Sequence, residues 1–572
     1  MPQTTIPLYF PNTQRGANAY DFTSYAGDST TQKDAHMENC ILVTAPNVVT
    51  QSQTVFVEKR VGFEEFQTYE SGSKGTCVFA TGIGGAIYGC FTTGSTHTIR
   101  SGSGAGGVIG TTDSGDEIVF ISEMVSPTIA PTSSVLLFQS EGATPSSYFY
   151  SQDLSGTTKT FTGDLTSGLA TVVNVSSTSN LYSGQRISGT GIPADTRIQS
   201  VDSATQITMT AVATASNNTV TITREHLSKI IDSNFPARVA GSLVEMDGYV
   251  FAANQTNGRI YNSDVNNVES WDADSYVTYS IRAGLLAGVG KIKQYILAFG
   301  SAGIEVFRNA GNPSGSPLIR VPELFIPFGP FSGGSDSALP YPRFAFHKDY
   351  VFFSCTSNLS GSSGIWMMGS DLAPKKISPV TIDRIAPGGV MKSFDLQGKT
   401  FLHVGSDNKT TTYPSFFYCV ETGEWTQQKF AFNAYFCPAT TFPAAVALNN
   451  TGGKVYYFGD NTDPLYTDDS TAFTQTIVSE NINLNNGQPF TINAFRIIGD
   501  NQTGGTIRIR TNGNDYNGTD WITRGTFDKT NMSKPVYRGG YYRNHFAFEL
   551  TDSHDSASRL QALLVDWEPG GR

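Results

Sequence analysis

The chain has 572 residues, a net charge of −11 and 15% charged residues, below the roughly 25% of typical soluble domains. With 58 Gly, 37 Phe and 25 Tyr, the composition favours strands and tight turns and argues against long amphipathic helices. No run of Lys or Arg exceeds two residues, which argues against tight binding of nucleic acid through its phosphates. The length predicts two to four domains, unless repeats build one large closed architecture.

The six cysteines and seven histidines are scattered along the chain. They form no CxxC pair, no HxxxH pair and no mixed Cys/His cluster, so we predict no metal site and no cofactor. Free and mostly buried thiols in a protein made in a reducing cytoplasm are expected instead. The first residues lack the pattern of a signal peptide and no stretch is long and apolar enough for a membrane span, so we expect neither.

The first quarter of the chain has an irregular strand pattern. We assign residues 1–54 to an N-terminal arm and ring-closing segment, and residues 55–162 to the first part of a β-propeller. The run GTCVFATGIGGAIYGCFTTG at 75–94 is typical of an early blade. Apolar runs at 116–122 and 134–142 supply strands for another blade.

Residues 163–223 differ in composition from their surroundings. Aromatic residues nearly vanish, while Thr, Ser, Val and Ala alternate cleanly, as in TQITMTAVAT. This pattern predicts a small inserted β-sandwich module, since insertions are tolerated where chain ends lie close together at a surface. The segment TREHLSKIID at 223–232, which leads back from the module, has a helix-like pattern.

A repeat of about 50 residues runs through residues 224–476, which we assign to the second part of the propeller. Five aromatic-rich apolar runs begin at 248, 293, 348, 398 and 453. Several of them are apolar on both faces, as expected for a strand packed between neighbouring blades. From 477 to 572 the spacing changes, and short strands with polar turns predict a C-terminal β-sandwich. The predicted fold is all-β: a six- or seven-bladed β-propeller with an inserted small β-sandwich module and a C-terminal β-sandwich.

Asp264 and Trp271 lie in the turn YNSDVNNVESW, which is similar to the Asp-containing turns of sialidases and other sugar-handling propellers. One interpretation is a glycan site, but glycoside cleavage needs two carboxylates about 5–9 Å apart across a cleft. The other, which we favour, is a structural turn in which Asp264 accepts backbone N–H groups and Trp271 packs over it. A degenerate version with Asp515, Gly518 and Trp521 is interpreted in the same way.

Three further side chains raise the question of function. Glu305 lies within an apolar strand and is interpreted as a charge paired within or between blades, with Arg282 and Arg308 as candidate partners. A catalytic role is the alternative. Phe328 and Phe331, in PELFIPFGPF, are candidates for a contact between subunits, and a core position between blades explains them equally well.

The order of these motifs resembles that of the tail-nozzle proteins of short-tailed phages, also called packaged-DNA stabilisation proteins. The positions that carry the likeness are Asp264, Trp271, Phe299, Gly300, Glu305, Phe307 and Gly311. The segments VEKRVGFEEF at 57–66 and KKISPVTIDRI at 375–385 also look like family elements. The likeness covers about 55–155 and 235–480, whereas the 163–223 module is extra.

The resemblance implies a structural virion protein without catalytic activity, assembled in the bacterial host cytoplasm. It implies a homo-hexameric tube below the adaptor or connector ring of the phage neck, which retains packaged DNA and attaches tail fibres, spikes or a needle. Packaged DNA would pass through the lumen without sequence-specific binding. The alternative is a glycan-binding or glycan-cleaving propeller that acts as a receptor-binding tail protein.

Overall fold

The structure, a computed structural model, is described here for most of the chain. The described residues are 2–8, 36–46, 53–80, 86–104, 107–125, 134–140, 145–281, 286–300, 303–312, 314–330, 344–347, 349–355, 364–379, 382, 390–396, 398–405, 415–430, 434–436, 445–449, 452–458, 465–479, 481–513 and 521–570. Regular structure within them consists of strands, apart from short 3-10 turns at Gln152–Leu154 and Pro322–Leu324. The prediction of an all-β fold is therefore confirmed.

Seven sets of four antiparallel strands in the described residues form the blades of a propeller; four sets are separate sheets, and those of blades 2, 6 and 7 are parts of larger sheets. In chain order, blade 1 contains Lys74–Ala80, Ile87–Thr93, Thr96–Arg100 and Val108–Thr111; blade 2 contains Ile118–Val125, Ser134–Ser140, Ser147–Ser151 and the end of Asn217–Lys229; blade 3 contains Val239–Met246, Tyr249–Asn254, Arg259–Asp264 and Asn267–Thr278; blade 4 contains Leu286–Ile292, Tyr295–Gly300, Gly303–Asn309 and Leu318–Arg320; blade 5 contains Phe344–His347, Tyr350–Cys355, Gly364–Met368 and Pro374–Lys376; blade 6 contains Val390–Leu396, Lys399–Gly405, Ser415–Cys419 and Glu424–Gln428; blade 7 contains Ala434–Phe436, Ala445–Asn449, Lys454–Phe458 and Phe63–Thr68, and is extended by Thr467–Asp468 and Thr471–Ala472.

The blades close into a ring around a central axis. The first strand of each blade contacts the first strand of the next, and that of blade 7 contacts that of blade 1. Blade 7 takes three strands from 434–458 and its fourth, Phe63–Thr68, from the N-terminal part of the chain, in a register that pairs Lys454 with Thr68 and Phe458 with Phe63. The ring is thus closed by hydrogen bonds between two distant parts of the sequence.

The repeated apolar runs are interior strands of the blades. Those at 248, 293, 348 and 398 form the second strands of blades 3 to 6, and the run at 453 forms the third strand of blade 7. In blade 4, Ile296 and Ala298 pack into the core shared with blade 3, whereas Leu297 and Phe299 pack into the core shared with blade 5. Because both faces of such a strand are covered, both sets of alternating side chains are apolar.

The segment between the third and fourth strands of blade 2 forms a module with its own core. Its strands are Thr160–Leu165, Thr171–Val173, Gln185–Ser188, Ile198–Ser203, Gln206–Met209 and the first part of Asn217–Lys229. Buried residues such as Phe161, Ile198 and Ile222 form a hydrophobic cluster separate from the blade cores. The chain enters and leaves the module side by side, because Thr160 and Thr223 are directly paired.

The predicted helix at 223–232 is wrong, because this segment belongs to the strand Asn217–Lys229. The strand pairs with Thr160–Leu165 in the module and with Ser147–Ser151 in blade 2. Arg224 is buried, and its guanidinium donates to the carbonyl oxygen of Thr158, 3.1 Å away. Strand partners on both sides therefore override the local helical spacing.

The module is fixed to the propeller by ion pairs on Asp113, in the turn before blade 2. The Asp113 carboxylate accepts from Arg186 of the module and from Lys229, each at 2.7 Å, and also from Arg197 of the module. Although burial by itself raises the pKa of Asp113, its pairs with Lys229 and Arg197 hold that pKa well below its usual range. The module is therefore docked against the blade by charge contacts as well as by the chain.

A terminal β-sandwich joins both ends of the chain. One sheet contains Gln3–Pro7, Cys40–Pro46, Gln53–Lys59, Phe490–Gly499, Gly540–Tyr542 and Arg559–Pro569, and the other contains His36–Glu38, Gln475–Val478, Thr506–Asn512, Ile522–Asp528 and Ala547–Asp552. The sequence assigns residues 1–54 to an N-terminal arm and ring-closing segment, yet their described strands lie in this sandwich. The second sheet continues from blade 6, because His36–Glu38 pairs in parallel with Glu424–Gln428.

Candidate functional site

The Asp264 turn connects the third and fourth strands of blade 3. The Asp264 carboxylate accepts a hydrogen bond from the Ser270 hydroxyl at 2.6 Å. Ser263 next to it accepts from the Val250 backbone N–H and donates to the Asp264 carbonyl oxygen. The turn is thus closed by contacts within blade 3, with a serine hydroxyl in place of the expected backbone N–H as the donor to the Asp264 side chain.

Trp271 lies under this turn and is 3% exposed. Its indole N–H donates to the carbonyl oxygen of Val268 at 2.9 Å, and its ring packs edge-on against Phe235 with 4.8 Å between centroids. The Trp271 backbone N–H donates to the carboxylate of Asp232. A buried indole offers no face on which a sugar ring can stack, so the geometry is that of a structural turn.

Glu305 fastens the chain segment that leads from blade 3 into blade 4. Its side chain is fully buried, and one carboxylate oxygen accepts the backbone N–H groups of Ser280 and Ile281 at 2.9 and 2.5 Å. The other oxygen accepts from Arg320 at 2.8 Å. All the carboxylate contacts are therefore structural, which fits the interpretation of Glu305 as a paired charge.

One of the two expected partners of Glu305, Arg308, is wrong. Arg308 is exposed and lies three residues along the same strand, where side chains point to the opposite face. Arg282 lies outside the described residues. The partner in the structure is Arg320, which lies on the neighbouring strand directly opposite Phe307. Arg320 also donates to the carbonyl oxygen of Thr278.

The remaining family positions of blade 4 are packing positions. Phe299 and Phe307 are buried, and the Phe299 ring stacks on Phe344 of blade 5 with 4.7 Å between centroids. A Cβ at Gly300 would lie 2.2 Å from the Tyr279 ring, so only glycine fits beneath that ring. Gly311 lies in the turn after blade strand three and donates its N–H to the Asn309 side chain.

Phe328 packs between blades 4 and 5 of the same subunit. Its ring is 4.5 Å from that of Trp366 and 6.2 Å from that of Phe353, measured between centroids. It is half-buried at the margin of the core shared by the two blades. Phe331 lies outside the described residues. The contact between subunits suggested for these two residues therefore stays a prediction.

A cavity of about 370 Å³ lies at the centre of the propeller ring. Inner strands of blades 1 to 6 line it, and the residues at its wall include Cys77, Phe79, Phe120, Glu123, Ser242, Glu245, Lys291, Phe346 and Lys392. We call this cavity the central channel. Sequence patterns do not reveal it, because its wall takes between one and four residues from each of six strands that are distant in sequence.

The arrangement of the titratable side chains bears on metal binding and on disulfide formation. Within the described ranges, no group of three or more His, Cys, Asp or Glu side chains is placed to hold a metal ion. Five cysteines are buried thiols outside any disulfide bond, namely Cys40, Cys77, Cys90, Cys355 and Cys419, and Cys437 lies outside the described residues. None of the helices in the described part is long and apolar enough to cross a membrane.

The fold and these contacts define a class: a β-propeller protein whose family positions, as far as they are described, serve packing and turn closure. Residues 144–413, from blade 2 to blade 6, match the family model described as Bacteriophage P22 Gp10, beta-propeller. The match confirms the resemblance to the phage stabilisation family. The matched region supports a structural role in a phage, and the propeller prediction is confirmed as well.

Other comparisons show likeness of fold at most. The chain matches none of the curated protein sequences. It is similar to the crystal structure of BBS1N in complex with ARL6DN, with 10% identity and a TM-score of 0.34 over 71% of this chain and 98% of that one. The exo-beta-1,3-galactanase of Phanerochaete chrysosporium gives 12% identity and 0.22 over 58% and 96%, and the dihydro-heme d1 dehydrogenase NirN gives 10% and 0.31 over 87% and 78%. At such identities and TM-scores these likenesses carry no functional inference.

Proposed function

We propose that this phage protein is the tail nozzle, a hub that extends the channel of the portal and adaptor, retains packaged DNA and attaches fibres or spikes. The observation that carries this proposal is the match of residues 144–413 to the family of a phage stabilisation protein. The closed ring of blades supports the proposal, because a propeller closed by strand pairing is rigid enough to form part of the wall of a tube. Six copies around an axis would need a heterologous interface, in which one patch meets a different patch on the neighbour.

The charge of the chain supports a lumen through which DNA slides. A net charge of −11 disfavours adhesion of a polyanion. Screening confines this effect to about 10 Å at ordinary salt, so only residues at the bore contribute. The glycan alternative has weaker support, because Trp271 is buried and the Asp264 carboxylate is engaged by Ser270.

Attachment of the next tail component is assigned to the open side of the terminal sandwich. Tyr537 and Tyr541 are 73% and 57% exposed, and Ile522 is 54% exposed. Strands Ile522–Asp528 and Gly540–Tyr542 are the outermost strands of the two sheets. The two strands contact each other, because the Arg524 guanidinium donates to the Tyr542 hydroxyl at 3.1 Å. We call Ile522, Tyr537, Arg538, Tyr541 and Arg543 the tyrosine-arginine surface.

The chemistry of this surface selects an acidic, extended protein segment as its partner. Arg538 and Arg543 are exposed and make no ion pair with any described residue, within a chain that is acidic as a whole. Tyr and Arg are the residue types that dominate binding energy at protein interfaces. Unpaired strand edges add main-chain hydrogen bonds for an extended segment.

The nozzle proposal is tested by mass measurement and negative-stain imaging of the purified chain, alone and mixed with DNA-filled tailless particles. Sixfold rings or tubes on the particle vertex, with DNA retained in the capped particles, are expected. A monomer that does not bind such particles would overturn the proposal. Turnover or binding of host polysaccharide by that monomer would then favour the glycan alternative.

A further inference from the structure

The central channel contains a positive charge that the protein itself does not neutralise. Lys392, on the first strand of blade 6, lines the cavity and makes no ion pair or hydrogen bond with its side chain to any described residue. Burial raises the pKa of the Cys77 thiol on blade 1, and the Lys392 ammonium offsets part of that rise. The ammonium therefore lies near enough to affect a group on blade 1, two blades further round the ring.

The carboxylates of the same wall are already engaged. Glu245 accepts from Lys291 at 3.3 Å and from the Gly248 backbone N–H at 3.1 Å. Glu123 accepts from the Ser134 hydroxyl at 2.5 Å. Lys392 is thus left with solvent or an external anion as its counter-charge, and a half-buried charge among apolar groups is stabilised by such an anion.

The rest of the wall is apolar and firmly placed. Phe79, Phe120 and Phe346 are half-buried and line the cavity. The Phe346 ring lies directly on blade 4, where a Cβ at Gly290 would be 1.5 Å from the ring, so a glycine is required beneath it. The hydroxyl of Ser393 is committed to the Phe346 carbonyl oxygen at 2.8 Å. The Phe346 ring is thus fixed in place, and together with Phe79 and Phe120 it gives the cavity an apolar wall.

Hydrogen-bond donors that remain available in the channel are few. The Ser122 hydroxyl donates to the Leu243 carbonyl oxygen at 2.7 Å. Ser242 also lines the cavity, and its hydroxyl makes no hydrogen bond to a described residue. Lys392 on blade 6 and Ser242 on blade 3 are therefore polar side chains of this wall that donate to no described residue.

We propose that the central channel is a binding site for a small organic anion, in which Lys392 pairs with the charged group and the rings of Phe79, Phe120 and Phe346 contact its apolar body. The cavity, at about 370 Å³, falls within the range of roughly 300–1,000 Å³ for small-molecule sites. Such a site is independent of the nozzle role and of any catalytic activity. A bound anion would tie the inner strands of opposite blades together.

The test uses two fluorescent probes with the same aromatic body, 8-anilinonaphthalene-1-sulfonate and its neutral analogue N-phenyl-1-naphthylamine, titrated into the full-length protein. We expect saturable binding of one sulfonate probe per chain. Lys392→Met should weaken the affinity for the sulfonate about tenfold, the value of one charge contact, and leave the neutral probe unaffected. Lys392→Arg should retain most of the affinity.

The matched control is Lys293→Met, because Lys293 is 52% exposed in the turn between the first two strands of blade 4, does not line the cavity and pairs with Asp349. It should leave both probes unaffected. Thermal unfolding of each variant verifies the fold, and Lys392→Gln replaces the Met variant if the latter does not fold. Sulfonate binding that is non-saturable, or equal in wild type and the Lys392 variants, would overturn the proposal.

Discussion

Glu305 shows how one buried carboxylate holds two blades in register. We expect Glu305→Ala to lower the free energy of unfolding by about 2–3 kcal/mol, because it leaves two backbone N–H groups and Arg320 without their acceptor. Urea unfolding followed by tryptophan fluorescence measures the change. Arg308→Ala, on the same strand but exposed, is the control and should cost less than about 0.5 kcal/mol. Equal effects of the two variants would contradict the assigned role.

His403 is a second residue whose environment has a measurable consequence. It is 5% exposed, in the core between blades 6 and 7, with its ring 5.0 Å from that of Phe436 and 5.7 Å from that of Phe417. Neither ring nitrogen has a hydrogen-bond partner in the described part of the molecule. Burial lowers the pKa of His403 from 6.5 to about 3. Burial also lowers the pKa of His226, to about 4, with Arg224 and Lys159 adding to the effect.

These shifts predict acid sensitivity of the propeller. Because the folded-state pKa of His403 lies below its unfolded value, the unfolded chain binds the proton more readily, and stability falls as the pH drops from 6.5 towards 3. His403→Phe should remove about 3 kcal/mol of this loss at about pH 4. Urea unfolding at pH 7 and pH 4 measures it. His554→Gln, at an exposed position, should follow the wild-type profile, and an unchanged profile for His403→Phe would refute the argument.

At the scale of elements, local sequence patterns reveal interior blade strands and little else. The run Tyr295–Gly300 is recognisable because both of its faces are covered by blades, which makes it apolar throughout. Phe63–Thr68 has three consecutive exposed residues and pairs with a strand almost 400 residues away in sequence, so no local pattern marks it as the strand that closes the ring. The same holds for Gln3–Pro7, which pairs with Arg559–Pro569.

The candidate site follows the same rule. The sequence indicated a structural turn at Asp264 and a paired charge at Glu305, because residue type and neighbours are local information. It did not indicate Arg320, Asp232 or Lys392, since each acts on a residue brought close only by the fold. The segment KPVYRGGYYRNH at 534–545 was a usable signal for the tyrosine-arginine surface, with alternating aromatic and basic residues and no acidic one.

The ring-closing strand offers a matched pair of phenylalanines. Phe63 is 1% exposed and packs against Phe458 at 4.7 Å and Phe430 at 5.3 Å between centroids, whereas Phe66 on the same strand is 41% exposed. We expect Phe63→Ala to cost about 3–5 kcal/mol by opening a cavity at the ring seam. Phe66→Ala should cost about 1 kcal/mol or less. Urea unfolding measures both, and similar costs would mean that the strand does not seal the ring.

The inserted module is predicted to be removable without loss of the propeller. Because Thr160 and Thr223 are directly paired, with Cα atoms about 5 Å apart, an Asn-Gly turn can replace residues 161–222. Differential scanning calorimetry should retain the propeller transition in this deletion. In the full chain, Ile198→Asp places a charge in the module core and should unfold the module alone. Loss of the propeller transition in both variants would show that the module is part of its core.

At the scale of the whole molecule, the chain combines a closed ring with a sandwich made from both of its ends. Terminal strands such as Gln3–Pro7 and Arg559–Pro569 lie side by side, so neither end is left as a free arm in the described residues. The second sheet of the sandwich continues from blade 6 through His36–Glu38. A partner that binds the tyrosine-arginine surface therefore acts on a sandwich that is hydrogen-bonded to the propeller, which suits a component that transmits force along a tail.

The tyrosine-arginine surface gives the last prediction. The double variant Tyr537→Ser and Tyr541→Ser should fold, assemble and cap DNA-filled particles as the wild type does, because both side chains are exposed. Capped particles should fail to take up the next tail component, since the aromatic contacts that dominate an interface are lost.

Negative-stain imaging and plaque counts of complemented phage measure this, with an expected loss of infectivity of at least about tenfold. Val265→Ser, at a 54% exposed position on the blade 3 turn, is the control and should behave as wild type. Uptake by the wild type should weaken as salt is raised, because Arg538 and Arg543 are exposed charges. Complete tails on the double variant would place the attachment site elsewhere on the molecule.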